Sequence, residues 1–206
     1  MRWIYVVTAG VALAAVIAVT AFWSLLRGDP QTFAECRSGA VAGDIGGPFE
    51  LVGADGETVT QDSLVTEPTL LYFGYTFCPD VCPFDTVRNA AVIDILEEEG
   101  IEAQTAFVSV DPERDTPDVV GEFAEAIHPE MVGLTGSTEQ VKAAADAFRV
   151  FYRVPQDPED EYYLVDHTTF TYLLMPGEGF VDYYRRELPA EEIAAGVSCF
   201  AEAAQS

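Results

Sequence analysis

The sequence predicts an α/β fold in which helices flank a mixed β-sheet. Three observations carry this. Apolar, strand-like runs at 69–75 and 103–110 are each followed by a helical pattern with its own start signal. Strands that alternate with helices close into parallel neighbours through short right-handed crossovers. Two late strand patterns, 170–174 and 180–184, are joined by Pro176-Gly177-Glu178-Gly179. They add an antiparallel hairpin, so the sheet is mixed rather than purely parallel.

The N-terminal segment comes first. Residues Trp3 to Leu26 are almost wholly apolar and lie between Arg2 and Arg27, and a membrane helix needs about 20 such residues. The rival is a cleaved signal peptide, with Val19 and Ala21 as a weak cleavage site. Phe22, Trp23, Leu25 and Leu26 carry the apolar run past that site, whereas the apolar part of a signal is about 7–15 residues. The reading is an uncleaved anchor over 1–27 with its N-terminus inside. A polar tether follows over 28–43, then a folded domain over 44–206, long enough to bury a real core.

Within the domain, 49–52 and 58–60 read as strands around the turn Ala54-Asp55-Gly56. The run 69–75 suits a buried central strand. A helix is expected from about Pro83 to Glu99, with Gly100 as its stop. Thr116-Pro117 places a capping residue before a proline at a helix start. A short strand at 131–134 precedes Ser137 and Gln140, which form a capping box. The segments 151–154 and 162–165 suggest a hairpin around the acidic loop Gln156–Glu161. The last helix starts near Pro189, with Ile193, Val197 and Phe200 on one face.

The formal charge is −25 over 206 residues, and Lys142 is the single lysine. Phosphates are repelled by such a surface, which excludes a nucleic-acid partner. An acidic surface serves solubility, or it steers a basic partner or attracts cations.

The chemistry centres on Cys78-Pro79-Asp80-Val81-Cys82-Pro83, where a strand feeds a helix. Each cysteine precedes a proline, a position pushed away from helical backbone. Cys82 therefore reads as the N-cap, with Pro83 as the first helical residue. A helix N-terminus favours thiolate, and thiolates serve both disulfide exchange and soft-metal binding. The spacing is one residue wider than the redox Cys-x-x-Cys pattern. His167 is the candidate third donor, since two thiolates and an imidazole suit copper. Its spacing alone leaves ligand and plain surface histidine equally open. The other histidine, His128, reads as a cationic partner of a helix C-terminus.

Three stretches in order, 73–83 (FGYTFCPDVCP), 108–117 (VSVDPERDTP) and 165–168 (VDHT), resemble the SCO/SenC family. The resemblance spans about residues 44–200. It implies a thioredoxin-like, membrane-anchored copper protein that assists cytochrome c oxidase assembly. It carries copper, as Cu(I) or Cu(II), over to Cys78, Cys82 and His167. The implied function is delivery of copper to the dinuclear copper site of oxidase subunit II, or reduction of that site's cysteines. The alternative is an enzyme, a thiol-disulfide oxidoreductase or thiol peroxidase with Cys78 and Cys82 as the redox pair, forming a disulfide when metal-free. Expected partners are subunit II, other periplasmic copper chaperones or thiol reductases, and the membrane. The expected location is the bacterial inner membrane, single-pass, with the C-terminal domain in the periplasm. Asp111, Arg114 and Asp115 read as loop and cap chemistry, with a partner-facing or ligand-supporting role as the alternative. Asp80 and Asp166 adjoin the ligands, either tuning them or simply solvated. Gly74 reads as a point of close backbone approach, and Tyr72, Phe73, Tyr75 and Phe77 as core.

Cys36 and Cys199 are left over once the copper pair is assigned. An even cysteine count and an exported domain point to a structural disulfide between them. The alternative is a second copper-handling pair.

Overall fold

The computed structural model describes residues 33–37, 39, 44–155 and 163–205. The chain divides into two compact units, Met1–Glu35 and Cys36–Ser206. Only residues 33–35 of the first are described, and the strands and helices named here belong to the second. The predicted anchor, most of the tether and the acidic loop Gln156–Glu161 lie outside the described residues. Among the described residues, no helix is long and apolar enough to cross a membrane.

The strands β1 (Glu50–Gly53) and β2 (Thr58–Thr60) form an antiparallel pair. Their turn uses Gly56 at φ 79°, and Asp55 Oδ1 accepts the Glu57 amide at 3.0 Å. The short helix α1 (Gln61–Leu64) has no counterpart among the predicted elements. Its capping box pairs Thr60 with Ser63, whereas the usual sequence signature has Glu or Gln there.

Strand β3 (Thr69–Gly74) is buried at every position and leads into α2 (Val81–Glu98). Strand β4 (Gln104–Ser109) and helix α3 (Pro117–Ile127) follow, then β5 (Met131–Thr135) and α4 (Thr138–Ala147). Among the described residues, the short strands β6 (Tyr152–Arg153) and β7 (Asp166–His167) pair only with each other. The chain ends with β8 (Thr171–Met175), β9 (Gly179–Tyr184) and α5 (Ala190–Ala204). The seven-stranded order is β2-β1-β5-β4-β3-β8-β9. β3, β4 and β5 run parallel; β8 joins β3, and β1 joins β5, antiparallel. The sheet is mixed, as the sequence predicts.

Aromatic side chains fill one side of this sheet. Phe148 contacts Phe73 and Tyr172 at ring-centroid distances of 5.6 and 5.4 Å. Helices α2 and α5 pack against each other. The carboxyl ends of parallel β3 and β4 open toward the Tyr75–Asp80 and Val110–Thr116 loops, the usual place for a site in a parallel sheet.

Four local expectations are corrected. Helix α2 begins at Val81, with Asp80 as N-cap, so Cys82 lies inside the first turn. Pro83 is tolerated at the third helical position because the first amides of a helix have no intrahelical partner. The Cys82 amide instead donates to Cys78 Sγ at 3.4 Å. The hairpin partner of Tyr152 is His167, not a residue of 162–165. Phe77 is half exposed rather than core. His128 caps α3, but its ring does not serve the helix end. Nδ1 accepts the Glu130 amide at 3.0 Å and Nε2 faces Asp94 Oδ1 at 3.2 Å.

Candidate metal centre

The cysteine loop is fixed at both ends. The Cys78 amide donates to the Tyr75 carbonyl at 3.2 Å, and Cys78 Sγ receives the Cys82 amide. Both cysteines are buried, Cys78 at 6% and Cys82 at 0% exposure. Gly74, the last residue of β3, leaves room for the second sulfur. A Cβ there would sit 2.9 Å from Cys82 Sγ and 3.0 Å from the rings of Phe107 and Tyr72. This is the close approach that the glycine predicts.

His167 arrives from β7, held by its pairing with Tyr152. Its Nε2 lies 3.3 Å from Cys82 Sγ. Its Nδ1 faces the Thr168 carbonyl at 3.0 Å, so the proton is assigned to Nδ1 and Nε2 presents a lone pair. The rings of Tyr72 and Tyr75 stand perpendicular to the imidazole, with centroids at 6.2 and 5.7 Å. One donor atom from each of Cys78, Cys82 and His167 lies within 4.8 Å of the others. Two soft sulfurs and one imidazole nitrogen in a buried pocket suit a soft metal ion of low coordination number.

The two sulfurs are electrostatically unequal. A hydrogen bond from Cys82, with help from His167 and the backbone of Asp80 and Cys82, holds the Cys78 thiol well below its ordinary value despite burial. Cys82 is pushed up by the same hydrogen bond and by burial, and stays a thiol. The metal-free pair thus carries one thiolate, on the less buried sulfur.

Behind the site lies a buried polar chain that the sequence pattern did not reveal. The Tyr72 hydroxyl donates to Asp85 Oδ2 at 3.0 Å, and Asp85 Oδ1 lies 3.7 Å from Arg88 and 4.0 Å from Arg186. Burial raises the Asp85 carboxyl; Arg88 and the Tyr72 hydrogen bond oppose this. Burial and the neighbouring negative groups push the Tyr72 hydroxyl far up, so it remains a donor. The available signal was Asp85, three residues after Cys82 and three before Arg88, on a helix with a buried face.

The flanking acids separate. Asp80 is exposed at the N-cap without a side-chain cap bond. Asp166 is exposed and pairs with Arg153 at 2.5 Å, one strand position away from the imidazole. Asp111 and Asp115 are fully buried, and neither caps α3. Asp115 accepts from the Thr76 amide at 2.9 Å and the Thr76 hydroxyl at 2.6 Å. Away from the centre, Cys36 and Cys199 form a disulfide with Cα atoms 5.6 Å apart, joining the segment before the domain to α5.

The SCO1/SenC family model matches residues 38–202. Protein SenC of Rhodobacter capsulatus is 45% identical over 197 residues, covering 95% of this chain and 89% of its own length. The crystal structure of Arabidopsis thaliana ScoI with copper bound superposes with a TM-score of 0.70 at 42% identity, covering 77% of this chain and 99% of that one. BsSco, described as a member of the Sco family of cytochrome c oxidase assembly proteins with a disulfide switch, superposes with a TM-score of 0.61 at 26% identity. That match covers 79% of this chain and 96% of that one. The thioredoxin-like mixed α/β fold and the extent of the match agree: this chain belongs to the SCO1/SenC family.

Proposed function

We propose that this protein is a membrane-anchored copper chaperone that binds copper through Cys78, Cys82 and His167. In this reading it assists assembly of the dinuclear copper site of cytochrome c oxidase subunit II. The observation that carries it is the convergence of three soft or borderline donors, from two separate segments, within 4.8 Å. The copper-bound ScoI relative and the assembly role attached to BsSco support it. Copper is cargo here, and the chain's residues hold and release it. Cys78 offers a ready thiolate. Cys82 gives up its proton on loading, and Nε2 of His167 supplies a neutral third donor that is easily exchanged for a partner's ligand.

The apolar run Trp3–Leu26 supports a single-pass anchor in the bacterial inner membrane, with the domain in the periplasm. A disulfide between Cys36 and Cys199 suits that oxidising compartment. Among the described residues, the exposed large apolar side chains are Phe77, Phe84, Val87, Phe151 and Leu164. All five lie on or beside the segments that carry or pair with the three donors, which suits docking of a copper-accepting domain over the site.

The unequal sulfurs favour a second reading, reduction of the subunit II cysteines. The Cys78 thiolate attacks one sulfur of the partner disulfide and releases the other as thiolate. Cys82 then loses its proton and attacks Cys78, freeing the second partner sulfur and leaving a Cys78–Cys82 disulfide. Two electrons pass from this chain to the partner.

The test is a titration of reduced protein with Cu(I) and Cu(II) against a competing chelator. One tight site, weakened in both Cys82→Ser and His167→Ala, is expected. Unchanged affinity in His167→Ala sinks the three-donor site. Turnover of a disulfide that survives His167→Ala without copper favours the reductase.

A further inference from the structure

We propose that the loop between β4 and α3 is a bracket that holds the cysteine segment and the histidine segment in register, and that Arg114 is the positioning residue for His167. The proposal rests on the metal-binding reading of the site and deepens it.

The bracket has two arms. One is Asp115, fully buried, which receives the amide and hydroxyl of Thr76 and, at 2.5 Å, the hydroxyl of Ser109. Thr76 lies two residues before Cys78, so this arm pins the cysteine loop to the end of β4. The Thr135 hydroxyl donates to the Asp115 carbonyl at 2.7 Å and anchors the arm to β5. An acid placed directly before a helix start usually serves that helix. This one faces the other way.

The second arm is Asp111 with Arg114. Asp111 Oδ2 accepts Arg114 Nε at 2.5 Å, while Oδ1 accepts the Tyr163 hydroxyl at 2.8 Å. The guanidinium lies 3.5 Å from the Tyr163 ring centroid and 5.1 Å from that of Phe77. Phe77 adjoins Cys78, and Tyr163 stands four residues before His167. One planar cation therefore touches an aromatic ring from each ligand-bearing segment, a geometry suited to guanidinium and poorly matched by ammonium.

His167 needs such a hold. Strand β7 is two residues long and, among the described residues, pairs only with the two-residue β6. The far side of the histidine is tied by the Thr168 amide to the Phe151 carbonyl at 2.9 Å. The near side is tied through Tyr163. Between them, Val165 is buried, and the Tyr75 ring stands against the imidazole. Releasing Tyr163 frees the near end of this segment and lets Nε2 drift from Cys82.

The test is a double-mutant cycle on the full-length chain in detergent. The variants are Arg114→Gln, His167→Ala and the double, with Arg114→Lys as the conservative change. Copper affinity, the Cu(II) spectrum and thermal unfolding are read for each. Loss of an outer partner of a ligand weakens metal binding roughly 10–100-fold, and Arg114→Gln is expected in that range with the nitrogen-ligand signature gone. Arg114→Lys recovers part of it. The double variant binds no more weakly than His167→Ala. Additive losses, or a lower melting temperature with unchanged affinity and spectrum, overturn the proposal.

A second readout is independent of copper. In the metal-free protein, NMR contacts between the His167 ring and those of Tyr72 and Tyr75 are expected to vanish in Arg114→Gln. Tyr163→Leu does the same if Arg114→Gln fails to fold. Persistence of those contacts overturns the bracket even if copper binding fails for another reason, and their loss supports it even if His167 proves dispensable for copper.

Discussion

The sulfur of Cys82 and Nε2 of His167 stand 3.3 Å apart although 85 positions separate the two residues in the chain. Each is fixed by its own neighbourhood. Gly74 makes room for the sulfur, and the Thr168 carbonyl turns the ring. Substitutions in either neighbourhood should therefore reach the copper site without touching a donor.

Gly74→Ala forces a Cβ to within 2.9 Å of Cys82 Sγ. The sulfur is held from the other side by the first turn of α2, so it cannot yield freely. Overpacking of this kind costs about 1–3 kcal/mol. Denaturant unfolding should show that loss, and copper affinity should fall with it. An unchanged affinity means that the sulfur's position is not set by β3.

The reduced, metal-free protein should show a stability maximum near pH 9 that comes from its cysteine pair. Cys78 is held below its ordinary value of 9.0. Between that lowered value and 9.0 the unfolded chain binds more protons, so stability rises with pH. Cys82 is raised above 9.0. Above 9.0 the folded chain keeps a proton that the unfolded chain loses, so stability falls. Comparing unfolding of the wild type with Cys78→Ser, Cys82→Ser across pH isolates this contribution. A difference that is flat with pH contradicts the thiolate–thiol assignment.

Removing the Cys36–Cys199 disulfide should lower stability and spare copper. The closed loop spans 163 residues, and the chain-entropy model gives on the order of 5 kcal/mol for such a loop. Cys36→Ser, Cys199→Ser is expected to melt at a lower temperature with near-normal copper affinity. A non-reduced digest of the wild type should yield the linked peptide. A link from either residue to Cys78 or Cys82 would instead indicate a relay dithiol.

Phe84 and Val87 lie one turn apart on α2, at 70% and 54% exposure, and touch none of the three donors' hydrogen bonds. Under the proposed function, Phe84→Ser with Val87→Ser should slow copper transfer to a subunit II copper domain at least several-fold. Copper affinity and melting temperature should stay near wild type. Stopped-flow transfer at fixed salt checks this, and an unchanged rate places docking elsewhere.

The sequence alone determined the alternation of strands and helices, the mixed sheet and the capping box of α4. Those signals are local: apolar period, proline and glycine placement, and side chains that reach their own backbone. Cys78 and Cys82 were legible for the same reason, since a strand-to-helix junction shows in a dozen residues. Only the tertiary structure decided that His167 meets Cys82. It also decided that Cys82 sits within the first helical turn, and that Asp115 turns to Thr76 instead of capping α3. The buried Tyr72–Asp85 chain and the Arg114 contacts with Tyr163 and Phe77 were likewise out of reach. Each joins segments distant in sequence, and whether a charged side chain is buried or solvated depends on what packs over it. In this protein the carriers of the chemistry are written locally, while their alignment is a property of the packed loops at the end of the sheet.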